Sequence, residues 1–199
     1  MIFPNLIEAT VGDMEVSLSK TDKYFWQLFV DDTQWMSWGL LHNDQLRELA
    51  SSVDIAYGKV IATGLGFCLR ESMLLDNKNV TEIVVLERNP NIIEYHNIYN
   101  SEIMNRITVI ECDANTYKGS CDTLLLDHYE LYNEEMFQYF NKCLNACTSN
   151  IDHSLVWWWG LEEVILSYPE YLKKSKIFKL PDLTESEFEK LRSIYSGKY

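Results

Sequence analysis

A chain of 199 residues, 47% hydrophobic and 13% aromatic, has the bulk for one domain with a real core and is not a disordered polymer. The net charge of -13, from 17 basic against 30 acidic residues, disfavours nucleic acid as a partner. The densest basic stretch, Lys173-Lys174-Ser175-Lys176 with Lys179, is short, lies close to acidic residues and reads as a solvated helix end. A small molecule, cationic or neutral, or a protein is the expected substrate. No apolar run approaches the length of a bilayer span. The opening residues Met1-Ile2-Phe3-Pro4-Asn5 lack the basic start and apolar core of a secretion signal, so a cytoplasmic location and no membrane segment are expected. The five cysteines (68, 112, 121, 143 and 147) are odd in number and contain no Cys-x-x-Cys, so they read as small free hydrophobes. No metal site is expected, Cys143 and Cys147 having no histidine nearby.

In chain order, the first elements read as antiparallel strands. Gly12-Asp13 is a turn signal, residues 14–19 alternate apolar and polar, and residues 24–30 are an aromatic-rich strand. Asp31-Asp32-Thr33 then turns the chain into a short strand over 34–36. Residues 1–42 are therefore expected to form a small β extension, serving as a homodimer surface, a lid or a cover. A helix follows, with Asn43 as N-cap, Leu46, Leu49, Ala50 and Val53 on its apolar face, and Gly58 at its end.

From Lys59 onward strands and helices alternate. The first strand, Lys59-Val60-Ile61-Ala62-Thr63, feeds Gly64-Leu65-Gly66 and a helix over 67–75. The second, 81–86, ends in Glu87, after which Asn89-Pro90 opens a helix bearing Ile92, Ile93 and His96 on one face. The third, 107–110, leads to Cys112-Asp113-Ala114. The fourth, 123–126, ends in Asp127, and after a helix over 133–147 a fifth strand covers 154–159. Its tryptophans 157 to 159 read as bulk for the two faces of a covered strand. Beyond Gly160, a helix over 161–168, a strand fragment over 177–180 and a final helix with the capping box Thr184 and Glu187 are expected. Continuous apolar strands separated by helices predict an α/β fold over 43–199, a doubly wound and mostly parallel Rossmann-like sheet.

Ligands of such sheets bind beyond the carboxyl ends of the strands. Four successive strand ends carry suitable chemistry here. Gly64 and Gly66 let backbone approach a ligand at a helix start. Glu87, a little over twenty residues further on, is placed to accept hydrogen bonds from two ribose hydroxyls. Asp113 is a candidate acceptor for an adenine amine, and Asp127 lies at the fourth strand end, followed by His128-Tyr129-Glu130. For Asp113 alone, a turn or cap role is equally consistent with the sequence; His128 reads as a turn histidine.

Residues 60–66, 83–90, 107–114 and 121–127 resemble the class I S-adenosylmethionine-dependent methyltransferases, on the branch that includes spermidine-synthase-like proteins. The resemblance covers roughly residues 57–130. It implies S-adenosylmethionine as cofactor, with Gly64 and Gly66 at the methionine part, Glu87 at the ribose, Asp113 and Ala114 at the adenine, Leu65 and Arg88 among the cofactor-binding residues, and Asp127 standing in for the missing partner of the cofactor's ammonium. Methyl transfer to a small-molecule or protein acceptor would then engage Asp127 first and Tyr129 second as catalytic groups. The chain departs from the pattern at Ala62, where many members carry an acid, and at Cys68, where they often carry glycine. No Asn-Pro-Pro-Tyr motif follows the fourth strand, in line with the disfavour of nucleic acid.

Two other readings stay open. Aminopropyl transfer, as in polyamine synthases, is suggested by Asp122 and Asp127 and faintly by Gln34 and Ser37. Against it, that family's polyamine-binding acids and tyrosine align with His42, Asn43 and Leu46. A non-catalytic methyltransferase-like protein is suggested by Ala62, Cys68 and a short C-terminal half.

Overall fold

The computed structural model describes residues 2–19, 25–39, 43–128 and 134–159. The first four strands, β1 (Ala9–Val11), β2 (Met14–Leu18), β3 (Phe25–Val30) and β4 (Thr33–Gly39), form an antiparallel sheet in sequential order. Asp31 and Asp32 occupy its two-residue turn with φ of 48° and 58°, the left-handed pair that brings β3 into register with β4. Helix α1 (Asn43–Ile55) then leads to β5 (Gly58–Thr63), α2 (Leu69–Leu74), β6 (Val80–Glu87), α3 (Pro90–Tyr99), α4 (Ser101–Met104) and β7 (Thr108–Glu111). After β8 (Gly119–Ser120) come β9 (Thr123–Leu126), α5 (Glu134–Asn150), β10 (Ile151–Asp152) and β11 (Leu155–Trp158).

Five of these strands make a parallel sheet in the order β11-β9-β5-β6-β7. The chain steps outward from β5 to β6 to β7, then returns to lay β9 on the other flank of β5. That reversal is the switch point of a doubly wound sheet, and it opens a crevice beyond the ends of β5 and β9. The sheet is apolar on both faces because both are covered: Val60, Ile61, Ala62, Val85, Leu124, Leu125 and Leu126 are all fully buried. Trp157 and Trp158, adjacent on β11 and so on opposite faces, are both buried, as alternating side chains of a covered strand require.

The N-terminal sheet packs on this core. Met14, Val16 and Leu28 are buried in the same apolar cluster as β5 and β6, each contributing about 1.5–3 kcal/mol relative to exposure. Polar ties fix the position: the Tyr95 hydroxyl of α3 accepts from Ile7 N at 2.8 Å and donates to Ile7 O at 2.9 Å. Asn100 bonds both backbone groups of Asn5.

Several predicted bounds move. The helix expected over 67–75 shortens to Leu69–Leu74, because Gly66 and Cys68 both hold left-handed backbone (φ 49° and 63°), which a helix cannot include. The strand expected over 34–36 extends to Thr33–Gly39 through pairing with β3. The short elements β1, α4, β8 and β10 were not anticipated, since two to four residues carry too little periodicity. Tyr129, the helix over 161–168, the fragment over 177–180 and the capping box at Thr184 lie outside the described residues. No helix among the described residues is long and apolar enough to cross a membrane.

Candidate functional site

A cleft with about 900 Å³ of empty space, its open mouth included, lies beyond the carboxyl ends of β5, β6 and β9. Gly64, Gly66, Glu87, Asp113, Asp127 and His128 line it from the parallel-sheet side. Leu28, Val30, Trp35 and Met36 of β3 and β4 line it from the other side, so the N-terminal sheet is its roof.

The glycine turn that follows β5 is closely packed at both of its glycines. A Cβ on Gly64 (φ 76°) would meet Asp127 O at 2.5 Å, and one on Gly66 (φ 49°) would meet Met36 Sδ at 2.9 Å. The backbone N–H of Leu65 donates to Glu87 Oε2 at 2.8 Å, and Asn89 N–H donates to Glu87 Oε1, also at 2.8 Å. Glu87 thus ties the end of β6 to the turn after β5. On the far side His96, buried on α3, has Nε2 2.7 Å from Gly66 O and Nδ1 3.0 Å from Asn100 Nδ2. The Gly66 carbonyl can only accept, so we assign the proton to Nε2, with Nδ1 accepting from the Asn100 amide. Burial pushes the His96 imidazole down to about 4, with the Gly66 bond acting in the opposite sense, so His96 is neutral at pH 7.

Asp127 occupies the other flank of the switch point. Its N–H donates to Thr63 Oγ1 at 2.9 Å, and that hydroxyl lies 2.7 Å from His128 Nδ1. Burial lowers the His128 imidazole to about 4, with Asp113 opposing and Arg88 and Arg70 reinforcing the shift. Behind Asp127 sits Arg70, almost wholly buried, with Nη1 3.5 Å from Asp127 Oδ2. Burial raises the Asp127 carboxyl to about 6, Arg70 pulls it down and Glu71 pushes it up. Among the described residues, no group of three or more His, Cys, Asp and Glu is arranged to hold a metal ion.

No protein-family model matches the sequence, and no curated protein does. Among solved structures, the chain is similar to the mitomycin 7-O-methyltransferase MmcR, with 16% identity over 56% of this chain and 35% of that one, and a TM-score of 0.44. It is similar to the spermidine synthase of Thermotoga maritima at 11% identity over 76% of this chain and 52% of that one, with a TM-score of 0.47. A spermidine synthase in complex with the transition-state analogue AdoDATO gives 11% identity, 76% and 54% coverage, and a TM-score of 0.49. The chain spans between 35% and 54% of the length of these three structures.

Of the residues singled out from sequence, Gly64, Gly66, Glu87, Arg88, Asp113, Ala114 and Asp127 all line the one cleft. Leu65 does not line it: its side chain is buried and its N–H bonds Glu87, which does. Arg88 stacks over the Trp35 ring, its Cζ 5.0 Å from the centroid, and so bridges the core to the roof. Asp113 is exposed and its Oδ1 accepts the Asn115 N–H at 2.9 Å, a turn-forming bond. Asp122 is not part of the cleft: it precedes β9, and its Oδ2 accepts the Lys59 N–H at 2.8 Å at the opposite edge of the sheet. Arg70, Glu71, Thr63, His96 and the roof residues Trp35 and Met36 were not anticipated. Arg70 and Glu71 follow the glycine turn directly, but two adjacent charges on a short helix read as exposed in any sequence pattern.

Proposed function

We propose that the cleft binds S-adenosylmethionine and that the protein transfers its methyl group to a small-molecule or protein acceptor. The observation that carries this reading is the meeting, in one cleft at the switch point, of the Gly64-Leu65-Gly66 turn with Glu87, Asp113 and Asp127. The residues fit the group. Gly64 and Gly66 present backbone without side chains to the cleft. Glu87, an acceptor for two backbone N–H groups, keeps further lone pairs for the two hydroxyls of a ribose. Asp113, exposed at the end of β7, is an acceptor for the adenine amine, with Ala114 beside it as apolar wall.

When bound, the cofactor supplies an electrophilic sulfonium methyl, and little chemistry is then required of the protein. Asp127 holds a cationic amine of the cofactor or acceptor and, once ionised above pH 6, can take a proton from a nucleophile. Tyr129, two residues on, is the second proposed catalytic group. The β3–β4 roof walls one side of the cleft and orients what enters it.

Aminopropyl transfer is the weaker alternative, because Asp122, one of the two acids that suggested it, caps the opposite edge of the sheet. Calorimetry separates the readings. Binding of S-adenosylmethionine and its demethylated product is expected, weakened about tenfold by Glu87→Gln, which removes about one charge-assisted hydrogen bond. Glu87→Ala would weaken binding too, but it also orphans the buried Leu65 N–H and is the less clean test. No binding of either compound at millimolar concentration would sink the proposal. A decarboxylated cofactor that competes more tightly than the intact one would turn it toward aminopropyl transfer.

A further inference from the structure

Beneath the glycine turn lies a group of three charges, of which the proposed function uses only Asp127. Arg70 and Glu71 are almost wholly buried, and Asp127 is largely so. Arg70 Nη2 donates to Gly64 O at 2.8 Å, to Thr63 O at 3.2 Å and to Glu71 Oε1 at 3.0 Å. Its Nε donates to the same Glu71 oxygen at 3.1 Å. Nη1, 3.5 Å from Asp127 Oδ2, is close enough for an ion pair but makes no hydrogen bond to any described residue, and neither does Glu71 Oε2.

A guanidinium needed only to neutralise Glu71 has no reason to reach two carbonyls of the ligand-binding turn and a second acid as well. Two acids against one cation also leave the group one charge negative when Asp127 is ionised. A buried net charge is costly unless something completes it. The side still open is the cleft, which Asp127 lines.

We propose that Arg70 is a positioning residue for the cleft. Its guanidinium locks the Thr63 and Gly64 carbonyls and the Asp127 carboxylate into one unit, presenting Asp127 as an anion to a cationic group of the ligand. A lysine could not do this, having a point charge in place of a planar fork. The other charged or titratable groups around Asp127 and its cleft are Glu71 on α2, His128 on its own segment, Glu87 at the end of β6 and Arg88 after it, Cys112 and Asp113 after β7, and Tyr139 on α5. The ligand's identity rests on the reading above; the coupling of Arg70 to Asp127 does not.

The test is a carboxyl carbon NMR titration of Asp127 in the ligand-free protein, assigned through Asp127→Asn, for wild type, for Glu71→Gln and for the double variant Arg70→Gln/Glu71→Gln. The double variant keeps volume and removes both buried partners together, which is better tolerated than orphaning one. The wild-type midpoint is expected near pH 6. Relative to Glu71→Gln, which keeps Arg70, the midpoint of the double variant should lie about one pH unit or more higher, because the cation 3.5 Å away is lost. In parallel, Arg70→Lys should weaken S-adenosylhomocysteine binding about tenfold at pH 8, where Asp127 is ionised in either case, while moving the midpoint less. A folded double variant whose midpoint lies no higher than that of Glu71→Gln, whatever the melting temperatures, would reduce Arg70 to a structural ion pair and overturn the proposal. If no form binds the nucleoside, the cofactor reading fails and the titration still decides the role of Arg70.

Discussion

Cys68 opens α2 with a left-handed backbone (φ 63°) and a fully buried side chain. The conformation costs a non-glycine residue about 1–2 kcal/mol, and the thiol's burial in the core offsets it. Burial, and after it Glu71, raises the thiol well above its ordinary value, so it is inert to alkylation at neutral pH. Cys68→Gly trades relief of backbone strain against lost packing and should leave stability within about 1 kcal/mol of wild type. Cys68→Val puts a β-branched residue in the same left-handed well and should cost about 2 kcal/mol or more. Denaturant unfolding of both variants checks this, and a valine variant as stable as wild type would show that the turn relaxes. Glu87, Asp113 and Asp127 could be read from sequence because each ends an apolar run, and a parallel sheet sends all such ends to one edge. Asp122 misled because an acid before a strand and an acid after it look alike in sequence but lie at opposite edges.

At the scale of elements, the glycine turn is held from four directions: by Glu87 from β6, His96 from α3, Arg70 from α2 and Met36 from β4. Glu87, His96 and Met36 come from elements distant in sequence, and Arg70 from the short helix after the turn, where nothing in the local sequence says that its side chain folds back. The roof is part of this clamp. Trp35, half-exposed over the cleft and stacked on Arg88, is the side chain best placed to sense an occupant. Binding of an adenosine ligand should change tryptophan emission, and Trp35→Phe should abolish most of that change while the buried Trp157 and Trp158 keep theirs constant. Full retention of the signal in Trp35→Phe would remove the roof from the binding event.

For the molecule as a whole, three shifted groups set an acid limb of stability. His96 and His128 titrate near 4 in the folded state, below the ordinary 6.5. The unfolded chain therefore binds more protons between these values, and both contributions are lost as pH falls through that window. Asp127, raised to about 6, acts in the opposite sense: its folded form takes up a proton first, and it recovers stability as pH falls from 6 toward 3.8. Two losses against one gain leave a net of about one proton near pH 5, or about 1 kcal/mol per pH unit. Urea midpoints between pH 4.5 and 6 should fall with that slope, and His96→Gln should flatten it. A slope of opposite sign would mean that Asp127 dominates.

What the sequence determined by itself was the periodic part of the fold: five apolar strands in alternation with helices, the edge at which their carboxyl ends gather, and the acids that stand there. Those properties are local, since burial on both faces writes itself into consecutive residues and a strand's direction follows from its place in the chain. The tertiary structure alone decided that β3 and β4 roof the cleft, that Asp122 faces the wrong edge, and that Arg70, His96 and Thr63 brace the turn and Asp127. The reason is physical: a buried charge or imidazole is stable only through partners brought from elsewhere, and those partners are set by packing. Ala62 and Cys68, the two irregular positions of the glycine turn, are both buried in that packing, which is where their compensation has to come from.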